Sequence, residues 1–211
     1  MKLQRTVVII IPALAVMLLA GVAHAASTLE PPRPGQVGFS LQGQYGTFFK
    51  SGDLAKQFGG GGGYVVRARY RMRYERAIGV SFERQGFEVR DPADTTFGVN
   101  PGDANGHVTM TTIVSAVDIY QMFGTRTATV KYLSATIGLA QNTIKLADGE
   151  TVVNGTYAGD GFVLGAGAGF ERYIWQSWAI DAGARYYAMF HLGHANHEVQ
   201  LSLGLIFYAG Y

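Results

Sequence analysis

Cysteine is absent from all 211 residues. This excludes disulfide stapling, cysteine-ligated metal centres and a cysteine-linked lipid anchor, so if the chain is exported its stability must come from elsewhere. Charge is sparse too: Asp, Glu, Lys and Arg make up 15% of the chain, against roughly 25% in ordinary soluble domains. After the first two dozen residues no apolar run approaches the ~20 residues of a spanning helix, which excludes a helical membrane bundle. The formal net charge of +2 is accounted for by Lys2 and Arg5 alone, so the remainder is neutral and carries no electrostatic signal for nucleic acid.

What is present begins with MKLQR, an apolar run from Val7 to Ala20 broken only by Pro12, and then GVAHA, with Ala23 and Ala25 in a small-x-small arrangement. Residues 1–25 read as a secretory signal peptide cut after Ala25. Residues 26–36, ASTLEPPRPGQ, read as a proline-rich extended tail, and 37–211 as a single domain. Glycine is abundant, with 29 residues, and so are tyrosine and phenylalanine, with 12 of each.

The stretch YVVRARYRMRYER (64–76) places Arg67, Arg69, Arg71 and Arg73 at alternate positions. A helix would scatter these charges. A strand collects them on one face and puts Tyr64, Val66, Ala68, Tyr70, Met72 and Tyr74 on the other. The same period of two marks strands at about 37–47, 77–88, 108–122, 130–141, 161–172, 179–190 and 198–211. In the last, Val199, Leu201, Leu203, Leu205 and Phe207 oppose Glu198, Gln200, Ser202 and Gly204. Asp118 fixes the polar face of the fourth strand, leaving Ile113, Val117 and Ile119 opposite.

Eight strands result, joined alternately by short connections (75–76, 123–128, 173–178) and mostly longer ones (49–62, 89–107, 142–160, 191–197). In an exported chain, this alternation is expected of an all-β, eight-stranded antiparallel up-and-down transmembrane barrel with periplasmic turns and extracellular loops. A soluble sandwich would show a polar face rich in Lys and Glu. Here that face carries Gly, Ser, Gln and clustered Arg and Asp.

The C-terminal half resembles the small outer-membrane β-barrel proteins of Gram-negative bacteria, a group that includes the OmpA-type transmembrane domain and the OmpX-like and opacity-like proteins. The resemblance rests on Gly165-Ala-Gly167-Ala-Gly169, Trp175 to Trp178, Asp181-Ala-Gly183-Ala-Arg185-Tyr186 and the amphipathic tail Val199 to Tyr211. It implies an outer-membrane location, contact with membrane lipid and lipopolysaccharide, delivery by the barrel-insertion machinery and a monomeric state. Family members usually end in Phe or Trp; here Tyr211 lies beyond Phe207, a departure that bears on insertion rather than architecture.

A barrel of eight strands has room inside only for side chains. By parity Arg67, Arg69, Arg71, Arg73 and Arg185 point inward with Glu83, Asp118, Glu171, Asp181 and Glu198, five cations facing five anions. A turn centred on Arg76 would set Glu83 opposite Arg69, and one centred on Gln176 would set Glu171 opposite Asp181. Because strand six stands across the ring from strand two, Arg71 and Arg73 are expected to reach Glu171 and Asp181. The glycines of strand six would make room for them.

The sequence therefore predicts a structural or surface-interaction protein, adhesion-like, acting through its loops and closed by salt bridges. A narrow porin-like channel and a lipid-modifying enzyme stand as alternatives. The second lacks a His-x-Ser pair: the residues two beyond His191, His194 and His107 are Gly193, Asn196 and Thr109. No catalytic residue or cofactor is called for. His191, His194 and His197 with Glu198 are chemically suitable metal ligands in a loop, and whether they bind one stays open. Gly59 to Gly63 lacks the Gly-Lys-Ser/Thr of a phosphate loop and reads as a loop tip.

Overall fold

The structure is a computed structural model that describes residues 33–49, 53–89, 108–145, 151–152, 158–192 and 194–209. The expected signal peptide, most of the proline-rich tail and Tyr211 lie outside these. Period-two sequences become strands: β1 (Val37–Phe48), β2 (Phe58–Arg73), β3 (Arg76–Val89), β4 (Thr109–Phe123), β5 (Thr129–Lys145), β6 (Thr151–Val152), β7 (Gly159–Tyr173), β8 (Trp178–His191) and β9 (His194–Ala209). All neighbouring pairs are antiparallel, and pairing of β1 with β9 and of β4 with β5 closes the ring of eight long strands. The two-residue β6 is an appendage on the upper end of β5. Closure leaves no open edge among the long strands, which is what a sheet immersed in hydrocarbon requires.

Side-chain alternation sorts the two faces. Leu41, Leu139 and Leu201 are 63%, 66% and 60% exposed on the outer wall, whereas Gln42, Gln85 and Gln200 are buried inside. Exposed aromatics form two girdles on this wall. Tyr74, Phe123, Trp175, Trp178 and Phe207 lie toward the tight-turn end, and Tyr45, Phe49, Tyr64, Tyr186 and Phe190 toward the other. An apolar band between aromatic belts is the outer face of a membrane barrel.

The strands run longer than the sequence periods suggested. Gly59 to Gly63, expected as a loop tip, belong to β2, where Gly61 and Gly63 pair with Phe87 and Gln85 of β3. A Cβ on Gly61 would sit 2.1 Å from the carbonyl oxygen of Gly86, so the glycines serve close strand approach rather than flexibility. The histidine segment is also strand: His191 ends β8, His194 opens β9, and the two face one another across the hairpin. A short helix, α1 (Asp53–Gln57), was not foreshadowed by any periodicity. It turns Leu54 and Ala55 into the mouth of the barrel, with the Leu54 amide donating to Asn196 Oδ1 at 3.1 Å.

Candidate functional site: the barrel lumen

The lumen is filled in layers, described here from the tight-turn end upward. Tyr120, Tyr132, Tyr173 and Tyr208 form the floor with Met122, Val130 and Ile206. Above and among them lies the first charged cluster. Arg71 Nη2 donates to Glu171 Oε2 at 2.7 Å and to the hydroxyls of Tyr173 and Tyr208 at 2.8 and 3.2 Å. Arg69 reaches Glu171 Oε1 through Nη1 and Asp181 Oδ2, at 3.2 Å, through Nη2. Its guanidinium lies 4.0 Å above the Tyr120 ring, a cation–π contact. Tyr132 donates to Asp181 Oδ1 at 2.7 Å, and Tyr208 to both oxygens of Glu171 at 2.9 Å. Glu171 and Asp181 are register partners on β7 and β8, two like charges side by side. The cation that separates them comes from β2, across the lumen.

The second cluster is centred on Arg185. Its Nη1 contacts Asp118 Oδ1 at 3.1 Å, Glu83 Oε1 at 3.4 Å and the Tyr187 hydroxyl at 3.0 Å, and its Nη2 contacts the Tyr120 hydroxyl at 3.0 Å. Arg67 adds a 3.3 Å bridge to Glu83 Oε1 and a bond to Gln42 Oε1. Thr136 and Tyr120 satisfy Asp118 at 2.6 and 3.2 Å. Tyr120 thus joins the clusters, its ring under Arg69 and its hydroxyl on Arg185 and Asp118.

Above this the lumen turns uncharged but for one group. Gln44 and Gln200 donate to Gln85 Oε1 at 3.3 and 3.1 Å, and Gln85 donates to the Gly61 carbonyl at 3.0 Å. Glu198 is wholly buried beside them, with the Gln85 and Gln200 amides as its polar neighbours and no cation paired to it among the described residues. It fits only because residue 46 is glycine: a Cβ there would lie 2.2 Å from Glu198 Oε1. The mouth is then closed by an apolar cap that includes Phe48, Leu54, Phe58, Phe87, Met110 and Met189. The Phe48 and Phe87 rings are 4.7 Å apart.

Several sequence expectations need correction. Arg73 is exposed at the tight turn and outside the lumen, because a register shift between Arg71 and Arg73 precedes the Tyr74–Glu75 turn. The arginines that cross to Glu171 and Asp181 are therefore Arg69 and Arg71. The turn lies at Tyr74–Glu75 and is not centred on Arg76, so Glu83 stands opposite Val65 instead of Arg69, and it pairs with Arg67 and Arg185. Four buried arginines consequently face five buried carboxylates among the described residues, and the excess anion is Glu198. Room at the β7 glycines is taken by adjacent strands, not by arginines from the far wall. A Cβ on Gly165 would meet the Tyr187 ring at 2.4 Å, and one on Gly169 the Tyr132 hydroxyl at 2.5 Å. Parity puts Tyr187 on the polar face with Asp181 and Arg185, where it is found; the inward Tyr120 and Tyr173 are not anticipated, although each shares parity with a charged residue two positions away. Among the described residues no group of three or more His, Cys, Asp or Glu is placed to hold a metal ion. His191 Nδ1 meets the Asp160 carbonyl and His197 Nδ1 the Tyr186 hydroxyl, both at 2.7 Å.

An apolar wall, two aromatic girdles and a closed ring of strands around an ionised, packed interior define a membrane-spanning β-barrel. The family described as outer membrane protein beta-barrel domain matches residues 12–207, and the chain belongs to it. It is a protein of the bacterial outer membrane, embedded in lipid and lipopolysaccharide. No curated protein sequence matches it. Among solved structures it is similar to Neisserial surface protein A, with 17% identity, TM-score 0.57, and coverage of 82% of this chain and 98% of the other. It is also similar to Ail, the attachment invasion locus protein of Yersinia pestis, with 14% identity, TM-score 0.52, and coverage of 82% and 99%. A third is OprG of Pseudomonas aeruginosa, with 10% identity, TM-score 0.53, and coverage of 87% and 100%. At these identities the likeness is one of fold.

Proposed function

We propose that this barrel is a closed, monomeric surface protein whose contacts with other molecules are made by the segments joining its strands at the end away from the tight turns. The observation that carries the reading is the filling of the lumen: a tyrosine floor, two ion-pair clusters and an apolar cap lie in series between the two mouths. A solute would have to displace all of them. What is left to meet a partner is the outer end, in keeping with the name of Ail as an attachment protein.

The partner's chemistry is constrained by charge. Ail also has a structure with the heparin analogue sucrose octasulfate. In the present chain the joining segments contain Asp53, Asp91, Asp94, Asp103, Asp148 and Glu150 against Lys50, Lys56 and Arg90. Their net negative charge opposes a sulfated saccharide and favours a neutral or cationic ligand. Planar-bilayer recording on purified protein separates this reading from a channel. We expect no steady conductance from the wild type. Sustained current that changes in Arg71→Ala or Glu171→Ala would replace the closed reading with that of a narrow pore. Release or transfer of fatty acid from lipopolysaccharide by pure protein would favour the enzyme reading instead.

A further inference from the structure

Charge on this barrel is distributed unevenly between its ends. At the tight-turn end the exposed or half-exposed cations are Arg33, Arg73, Arg76, Arg126, Lys131 and Arg172, and Glu75 is the one acid there among the described residues. The opposite end carries the acidic joining segments. Three of the cations continue the lipid-facing parity of their strands. Arg76 precedes Ile78 and Val80 on β3, Lys131 precedes Leu133 on β5, and Arg172 follows Phe170 on β7. They therefore stand on the outer wall, at the border of the apolar band, and not at the mouth of the lumen.

Two shallow grooves run along the same wall. One, of about 470 Å³, is lined by Met72, Arg76, Ile119, Leu133 and Ala135. The second, of about 650 Å³, is lined by Phe123, Lys131, Leu133, Ala168 and Phe170. Leu133 is the ridge between them. The hollows exist because Ala135 and Ala168 stand where neighbouring outer positions carry Leu, Ile or Phe. Each groove has one cation in its lining and one outward polar side chain, Gln121 in the first and Thr129 in the second, and its other outward side chains are apolar. Register sets Arg76 beside Gln121, and Gln121 beside Leu133. Arg76 and Lys131 are thus two strands apart, about 10 Å across the sheet, and the long side chains of both can turn toward one headgroup.

We propose that this wall binds one anionic diacyl phospholipid of the periplasm-facing leaflet, with its phosphate between Arg76 and Lys131 and one acyl chain in each groove. The tight-turn end of an outer-membrane barrel faces the periplasm, and the leaflet there is phospholipid. Two apolar grooves flanking a single ridge match two chains on one glycerol. Two cations at the groove heads match a phosphodiester and oppose a zwitterionic headgroup, whose own ammonium would meet them. Arg73, Arg126 and Arg172 add to the local positive potential. Arg172 also donates to Thr129 Oγ1 at 2.7 Å, at the edge of the second groove.

The test is native mass spectrometry of the folded full chain released from nanodiscs of phosphatidylcholine containing a minority of phosphatidylglycerol. Wild type should retain phosphatidylglycerol over phosphatidylcholine by about thirtyfold beyond the bulk ratio, as expected when two cations meet a headgroup of net negative charge instead of a zwitterion. The double variant Arg76→Gln/Lys131→Gln should lose that preference. Its residues are exposed, so folding is checked by heat-modifiable migration and should be unaffected. Arg84→Gln, a lipid-facing cation higher on β3, serves as the control and should retain the preference. Equal retention of both lipids by wild type, or an unchanged preference in the double variant, would overturn the proposal. So would a preference lost in Arg84→Gln alone, because that would move the lipid to the opposite leaflet.

Discussion

The lower and upper halves of the lumen handle burial of charge in opposite ways. Below, every carboxylate oxygen of Glu171, Asp181 and Asp118 accepts at least one hydrogen bond, and three arginines reach across or around the ring to them. Above, Glu198 lies among the Gln85 and Gln200 amides with no cation paired to it among the described residues. These carboxylates are equally buried, so the difference is one of pairing. A paired cluster resists loss of any member, because removal strands a partner. A buried carboxyl without a counter-cation costs stability simply by being there, whether it stays charged or takes up a proton.

The largest test of this contrast is Glu171→Gln. It leaves Arg69 and Arg71 short of their shared counter-charge and should destabilise the barrel by about 3–5 kcal/mol, read as a lower urea midpoint for unfolding from lipid vesicles. A shift below 1 kcal/mol would mean the cluster is not the main source of order in the lower lumen. Next comes Arg185→Met, which strands Asp118 while Glu83 keeps Arg67; the expected loss is about 3 kcal/mol. Changes of opposite sign are expected above. Glu198→Gln should raise the midpoint, by about 1 kcal/mol or more, since an amide placed among Gln44, Gln85 and Gln200 removes the buried carboxyl that has no counter-cation. A loss of stability there would show that Glu198 has a partner of its own. Gly46→Ala drives a methyl into Glu198 and should cost about 1–3 kcal/mol, less when combined with Glu198→Ala. Smallest of all, Arg73→Gln should change stability by no more than about 0.5 kcal/mol, because the side chain is outside the lumen.

These halves were not equally legible in the sequence. Which face of each ribbon meets lipid follows from period two alone, so Leu203 and Gln200 could be assigned without a structure. The like-charged pair Glu171 and Asp181 could also be placed, because the β7–β8 connection introduces no register shift. The β2–β3 hairpin does contain one, between Arg71 and Arg73. Nothing in the local residues announces it, and it carries Arg73 out of the lumen, so parity alone makes the charges match one for one. Glu83 is displaced by the turn itself, which falls at Tyr74–Glu75 and is not centred on Arg76, and so sets Glu83 opposite Val65 rather than Arg69. The apolar cap was hidden for another reason. Parity arguments treat inward positions as polar, but near the outer mouth Phe48, Phe87, Met110 and Met189 turn inward to meet Leu54 of a helix that has a single turn and no pattern of its own.

The bonds from Arg69 and Arg71 to Glu171 and Asp181 join residues 100 to 112 positions apart in the chain. In a nascent barrel that has laid down only its first three strands, Arg69 and Arg71 lack these counter-charges, which arrive with the sixth and seventh long strands. Contacts this distant in sequence place the neutralisation of the lower lumen late in assembly, and slow folding is their general consequence.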